Sequence, residues 1–176
     1  HTIDGQIYWD ESACYRFTPS EIDTLEAATE ELHRLCLLAV AHVIDHRLYS
    51  RLGIPPAAVA LIEKSWAARE PSMVGRFDLC WDGHGAPRLL EYNADTPTSL
   101  LESSVVQWFW LKDVVPNADQ FNSIHEKLIE YWQRTGPRSE LVHFACAKGS
   151  EEDFGTVEYV RDVAHQAGCM TRFLFV

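Results

Sequence analysis

The sequence predicts an α/β chain in which helices pack around a β-hairpin and a βαβ unit follows. Three observations carry this. Alternating apolar runs flank Asp82-Gly83-His84-Gly85, which is a hairpin signal. Long segments on either side repeat apolar residues at helical spacing. The last forty residues alternate strand, helix and strand, and such a crossover joins parallel strands.

The elements follow in chain order. Thr18-Pro19-Ser20-Glu21 reads as a helix start, with Thr18 as N-cap, Pro19 at N1 and Glu21 closing a capping box. Leu25, Leu32, Leu35, Cys36, Ala39, Val43 and Leu48 then recur at helical spacing, which extends the helix to about Leu52. Gly53 and Pro55-Pro56 stop it. A shorter helix runs from about Ala57 to Arg69. The hairpin strands are Arg76 to Trp81 and Arg88 to Asn93. A third helix is expected from about Ser99 to Val115, with apolar residues on more than one face and so deeply buried. A fourth spans about Asp119 to Arg134. Beyond Gly136-Pro137, Leu141 to Ala145 reads as a strand, Phe154 to Gln166 as a helix and Thr171 to Val176 as a second strand. No internal repeat or low-complexity run appears.

Composition bounds the function. At 176 residues and 47% hydrophobic content the chain suits one ordinary globular region. A net charge of −11 leaves no basic patch for phosphates and argues against nucleic-acid binding. It fits a cationic partner such as a polyamine only weakly, because acidic surfaces commonly serve solubility. The five cysteines are scattered, odd in number and without a Cys-x-x-Cys pair, which favours reduced thiols and a cytoplasmic setting. No apolar run is long enough to span a membrane, and no signal peptide is visible. Both ends read as cut, since the chain begins at His1 and stops within the apolar run Phe173 to Val176.

The hairpin is the most informative stretch. Matching apolar residues across the strands pairs Phe77 with Tyr92 and Leu79 with Leu90. The same register sets Arg76 opposite Asn93 and Asp78 opposite Glu91. Facing carboxylates repel, so the pair calls for a cation between them. Asp78, Glu91 and Asn93 form an oxygen set of the kind Mg²⁺ takes, with Arg76 beside it for an anionic group. A solvated strand face with Arg76 paired to a carboxylate accounts for the same residues. Thr96, Thr98 and Ser99 add hydroxyls and an N-cap just beyond, where a helix N-terminus could hold an anion.

A second candidate is the loop Lys148-Gly149-Ser150-Glu151-Glu152-Asp153, between the first strand and the helix of the βαβ unit. Ligands of open α/β sheets bind at that end of the strands. Acidic residues also simply suit a helix N-terminus. No glycine-rich nucleotide fingerprint is present. His42 and His46 lie one helical turn apart, a spacing that can bind zinc, but no third ligand is apparent. The cysteines have no evident base partner.

Gly75-Arg76-Phe77-Asp78 and Leu90-Glu91-Tyr92-Asn93-Ala94-Asp95-Thr96-Pro97-Thr98-Ser99 resemble the glutathionylspermidine synthase family, ligases of the ATP-grasp fold. Tyr8-Trp9, the helix from Leu25 to Cys36, Gln120-Phe121-Asn122, and Glu151-Glu152-Asp153 with Thr156 extend the resemblance over nearly the whole chain. It looks closest to the bacterial stand-alone synthetase-like proteins that lack the amidase domain. The resemblance implies that residues 1–136 form a helical region with the acidic hairpin site. Residues 137–176 would begin a Rossmann-like, pre-ATP-grasp unit, both being parts of an incomplete ATP-grasp enzyme.

The resemblance also implies roles. Asp78, Glu91 and Asn93 would coordinate the Mg²⁺ that bridges ATP phosphates. Arg76 would stabilise the reacting carboxylate and its acyl phosphate. Thr96 and Thr98 stand where the polyamine-ligating enzymes hold the glutathione end of the substrate, and Glu151 and Glu152 match an acidic pair placed for the amine. Threonine in place of serine, and a hairpin loop about one residue longer than in the amidase-fused enzymes, set this chain apart from them. The implied reaction is two-step: ATP phosphorylates a peptide-like acid, and an amine then attacks the acyl phosphate.

The four lysines Lys64, Lys112, Lys127 and Lys148 supply no nucleotide clamp. The rest of an ATP-grasp chain is the expected partner, and the 176 residues alone should neither hydrolyse nor tightly bind MgATP. The competing readings are a non-catalytic binding module for a peptide or polyamine, and a metal-dependent phosphoesterase using Asp78, Glu91 and Asp95.

Overall fold

The computed structural model describes residues 2–3, 6–7, 9–95 and 98–176. The chain divides into two units, Phe17–Ala94 and the combination of His1–Arg16 with Asp95–Val176.

In the unit Phe17–Ala94, the first helix (α1) spans Pro19–Asp45. Its capping box forms as the sequence requires: the Thr18 N–H donates to Glu21 Oε2 at 2.6 Å, and the Glu21 N–H to Thr18 Oγ1 at 3.4 Å. The helix stops earlier than Leu52. Arg47 adopts φ 52°, its N–H bonds the Ile44 carbonyl at 3.1 Å, and the Leu48 N–H bonds the Val43 carbonyl at 2.9 Å. This is a Schellman end, with arginine at the left-handed position that usually takes glycine. A 3₁₀ turn, Tyr49–Leu52, follows and closes at Gly53, φ 67°. Tyr49, 6% exposed, donates its hydroxyl to Glu63 Oε1 at 2.9 Å and so ties the turn to α2, Pro56–Ala68. That helix ends in a second Schellman motif, with Arg69 at φ 51° and the Glu70 N–H bonded to the Ser65 carbonyl.

The hairpin closes this unit. Strands β3 (Arg76–Cys80) and β4 (Arg88–Asn93) are antiparallel. Arg76 pairs with Asn93, Phe77 with Tyr92 and Asp78 with Glu91, as expected. The pairing then slips. Leu79 faces Leu89 rather than Leu90, because a β-bulge falls between Asp78 and Leu79. Leu90 becomes the extra residue and is 68% exposed. The turn spans Trp81 to Pro87, with Gly83 and Gly85 at positive φ and the His84 N–H bonded to Asp82 Oδ1 at 2.9 Å.

The other unit carries two short strands, β1 (Thr2–Ile3) and β2 (Gln6–Ile7), which pair antiparallel. The predicted third helix begins at Leu100. It includes a π-helical turn, Glu102–Val106, before continuing as α3, Gln107–Val114. Leu100, Ser104 and Leu111 are buried, yet Phe109 is 63% exposed, so burial is narrower than the apolar content suggests. The predicted fourth helix (α4) starts at Ile124 rather than Asp119 and runs to Thr135. Asp119 and Asn122 explain the delay: their side-chain oxygens accept from the N–H groups of Gln120 and Ile124, which holds the segment in turns.

The C-terminal part is a βαβ crossover. Strands β5 (Leu141–Cys146) and β6 (Met170–Phe175) pair in parallel in register Leu141 with Met170, and α5, Glu151–Gln166, connects them. α5 starts one turn before Phe154 because Ser150 caps it, accepting the Asp153 N–H at 3.1 Å. The core of this unit sits on the inner side of α5. Val163 and Ala164 are fully buried, with Tyr159, Leu128 of α4 and Cys146 around them.

Candidate functional site

Period-2 geometry puts residues 76 and 78 of β3, and 91 and 93 of β4, on one face of the hairpin. The structure brings all four together. Arg76 Nε donates to Asp78 Oδ1 at 2.7 Å and its Nη2 to Asp78 Oδ2 at 3.3 Å. The same Nη2 lies 3.8 Å from Glu91 Oε1. Asn93 Nδ2 donates to Glu91 Oε1 at 2.8 Å. The guanidinium thus bridges the two facing carboxylates, which are the repelling pair of this register. The Asp78 carboxyl is held below its ordinary range, first by the hydrogen bond from Arg76, with partial burial pulling the other way. The site is half-open: about a third of the Arg76 and Asp78 side-chain surfaces, and more than half of that of Glu91, remain accessible.

The opposite face of the hairpin anchors the site. The Phe77 and Tyr92 rings stack at 3.9 Å, tilted by 18°. Tyr92 also meets His33 of α1 edge-on at 6.4 Å. Burial pushes the Tyr92 phenol pKa up. Gly75 lets the chain enter β3 under that ring, since a Cβ there would meet Tyr92 Cε2 at 2.7 Å. Gly75 and Tyr92 therefore set where Arg76 and Asn93 stand. Nothing in the spacing of apolar residues signals that close approach.

Thr98, Glu151 and Glu152 belong to the other unit. Glu151 and Glu152 open α5, where the helix dipole favours them. Thr98 precedes Ser99, whose φ of 66° is left-handed rather than the extended geometry of an N-cap. Ser99 instead serves through its carbonyl, which accepts Ser103 Oγ at 2.7 Å. Thr96 lies outside the described residues, as does Tyr8. Among the described residues no group of three or more His, Cys, Asp or Glu could hold a metal ion, and no helix is long and apolar enough to cross a membrane.

A family model described as "Glutathionylspermidine synthase preATP-grasp" matches residues 1–176. The chain belongs to the glutathionylspermidine synthase pre-ATP-grasp family. Among curated relatives, a protein of Haemophilus influenzae named "Putative acid--amine ligase" is 44% identical over 170 residues, covering 94% of this chain and 43% of the relative. The glutathionylspermidine synthase of Crithidia fasciculata is 31% identical over 84% of the chain and 22% of the relative. The trypanothione synthetase of the same organism is 26% identical over 78% of the chain and 22% of the relative. The chain thus spans less than half the length of these relatives.

Proposed function

We propose that this chain is part of an ATP- and Mg²⁺-dependent carboxylate–amine ligase that forms an amide through an acyl phosphate. One observation carries the reading: Arg76, Asp78, Glu91 and Asn93 meet on a single hairpin face. The names of the relatives, an acid–amine ligase and a glutathionylspermidine synthase, support the reaction class.

The donor set fits Mg²⁺. The ion takes hard oxygen ligands, and one or two carboxylates suffice when phosphates and water complete its sphere. Asp78 and Glu91 supply two carboxylates on facing strands, and Asn93 an amide on the same face. The pull of Arg76 on Asp78 keeps that carboxyl ionised, which a cation ligand must be. These three residues would hold the ion, which when bound neutralises phosphate charge on ATP. Arg76 would orient the acid's carboxylate and offset the charge that grows during phosphoryl transfer, the main protein contribution to that step.

Thr96 and Thr98 would position the peptide-like acid, and Glu151 and Glu152 would attract the amine. The reading places the protein in the cytoplasm, where ATP is available. The test takes the whole protein that carries this chain, with ATP, Mg²⁺ and a panel of peptide acids and polyamines. Amine-stimulated ADP release should appear. It should vanish in Asp78→Ala and Glu91→Ala proteins that keep the parent's circular dichroism. Undiminished turnover in both variants would remove the hairpin from the reaction.

A further inference from the structure

The C-terminal end of α1 and its cap residue bring two imidazoles together outside the acidic hairpin. The rings of His42 and His46 lie with centroids 4.1 Å apart and planes at 32°, and both side chains are exposed. His46 Nδ1 sits 3.0 Å from the His42 carbonyl oxygen. A carbonyl only accepts, so Nδ1 carries the proton, and in the neutral ring the lone pair is on Nε2. Histidines that ligate metals show this same arrangement. One nitrogen meets the metal while the other N–H is donated to a carbonyl or carboxylate, which fixes tautomer and ring orientation. The partly negative C-terminal end of the helix also favours a cation there. Of the neighbouring charges, Asp45 adds to that preference, and Arg47 turns towards Glu63 Oε1 at 3.3 Å.

We infer that His42 and His46 form a two-imidazole chelate for a borderline divalent transition ion such as Ni²⁺, Cu²⁺ or Zn²⁺, with water filling the remaining positions. Imidazole nitrogens select these ions over Mg²⁺, which prefers carboxylate and water oxygens. With two protein ligands the site is open rather than a closed four-ligand structural centre. It is independent of the ligase reading and survives that reading's failure.

The test is calorimetric titration of the whole protein that carries this chain with Ni²⁺, in buffer containing Mg²⁺. Excess Mg²⁺ competes for carboxylate oxygens and leaves imidazole nitrogens to Ni²⁺. One Ni²⁺ should bind, and either His42→Gln or His46→Gln should weaken it about a hundredfold, since each removes the intramolecular second ligand. His165→Gln, on α5, should leave it unchanged. Ni²⁺ should also raise the melting temperature of the parent and of His165→Gln but not of the two α1 variants, because an ion bound to the folded helix stabilises it. Absence of binding by the parent, or equal binding by the His42→Gln and His46→Gln proteins, would overturn the assignment.

Discussion

Arg76 reaches along its own strand to Asp78, with Nε 2.7 Å from Oδ1, and across the hairpin towards Glu91. That contact sets the sign of a pH effect. The folded-state pKa of Asp78 is lowered, so its contribution to stability is full above the unfolded-state value. It is lost as pH falls through the folded-state value. The stability gap between the parent and Asp78→Asn should therefore be widest near neutrality and close in acid. Chemical denaturation across the acidic range measures it, and a gap that stays constant to the acid end contradicts the pairing. An Arg76→Met protein should in turn show the Asp78 carboxyl titrating at higher pH, which carbon NMR of the side chain reads directly.

The bulge makes two neighbouring apolar residues unequal. Phe77 lies against Tyr92 in a stack, whereas Leu90 points its side chain largely to solvent. Phe77→Ala should cost about 2 kcal/mol, from lost area and stacking together, while Leu90→Ser stays within about 0.5 kcal/mol. Urea melts distinguish these values. Equal losses would mean that Leu90, and not Leu89, holds the register.

That inequality also marks how far the sequence could be read. Alternation placed Asp78 against Glu91 and Arg76 against Asn93, because a one-residue slip there would turn Phe77 and Tyr92 outward. It chose Leu90 for Leu79, and the bulge set the adjacent, chemically identical Leu89 there instead. The Thr18 cap was legible because its donors and acceptors are local. The end of α1 was not, since it depends on Arg47 entering a left-handed conformation that its own side chain disfavours. The start of α4 was missed for a related reason: Asp119 and Asn122 bond their neighbours' backbone in place of a helical turn. The four-residue hairpin site was legible as a set. That Arg76 itself supplies positive charge between the carboxylates emerges only from the folded distances.

Gly75 and Tyr92 form a steric pair whose coupling can be measured. A methyl group at residue 75 would fall 2.7 Å from Tyr92 Cε2 and 2.8 Å from its hydroxyl oxygen. The ring must shift, so Gly75→Ala should destabilise by about 1–3 kcal/mol, the usual cost of overpacking. In a Tyr92→Leu background the same substitution should cost much less, giving a coupling of about 1 kcal/mol in a double-mutant cycle. Because Asn93 follows Tyr92, Gly75→Ala should also disturb the Asn93 side-chain amide resonances. Additive penalties would show that the ring is free to move aside.

Two arginines hold the left-handed position of a Schellman end, and they should respond differently to glycine. A non-glycine residue there costs about 1–2 kcal/mol, and glycine returns about 0.5–1 kcal/mol of that through its greater freedom when unfolded. Arg69→Gly should therefore stabilise the chain by about 0.5 kcal/mol. Arg47→Gly should be close to neutral, because it also breaks the exposed Arg47–Glu63 contact at 3.3 Å, and such pairs are worth about 0.2–1 kcal/mol. Arg69 borders a groove of about 890 Å³ that it shares with His33, Trp66 and Glu70. Equilibrium urea denaturation of both variants tests the ordering. Destabilisation by Arg69→Gly would mean that its side chain contributes more to that groove than its backbone costs.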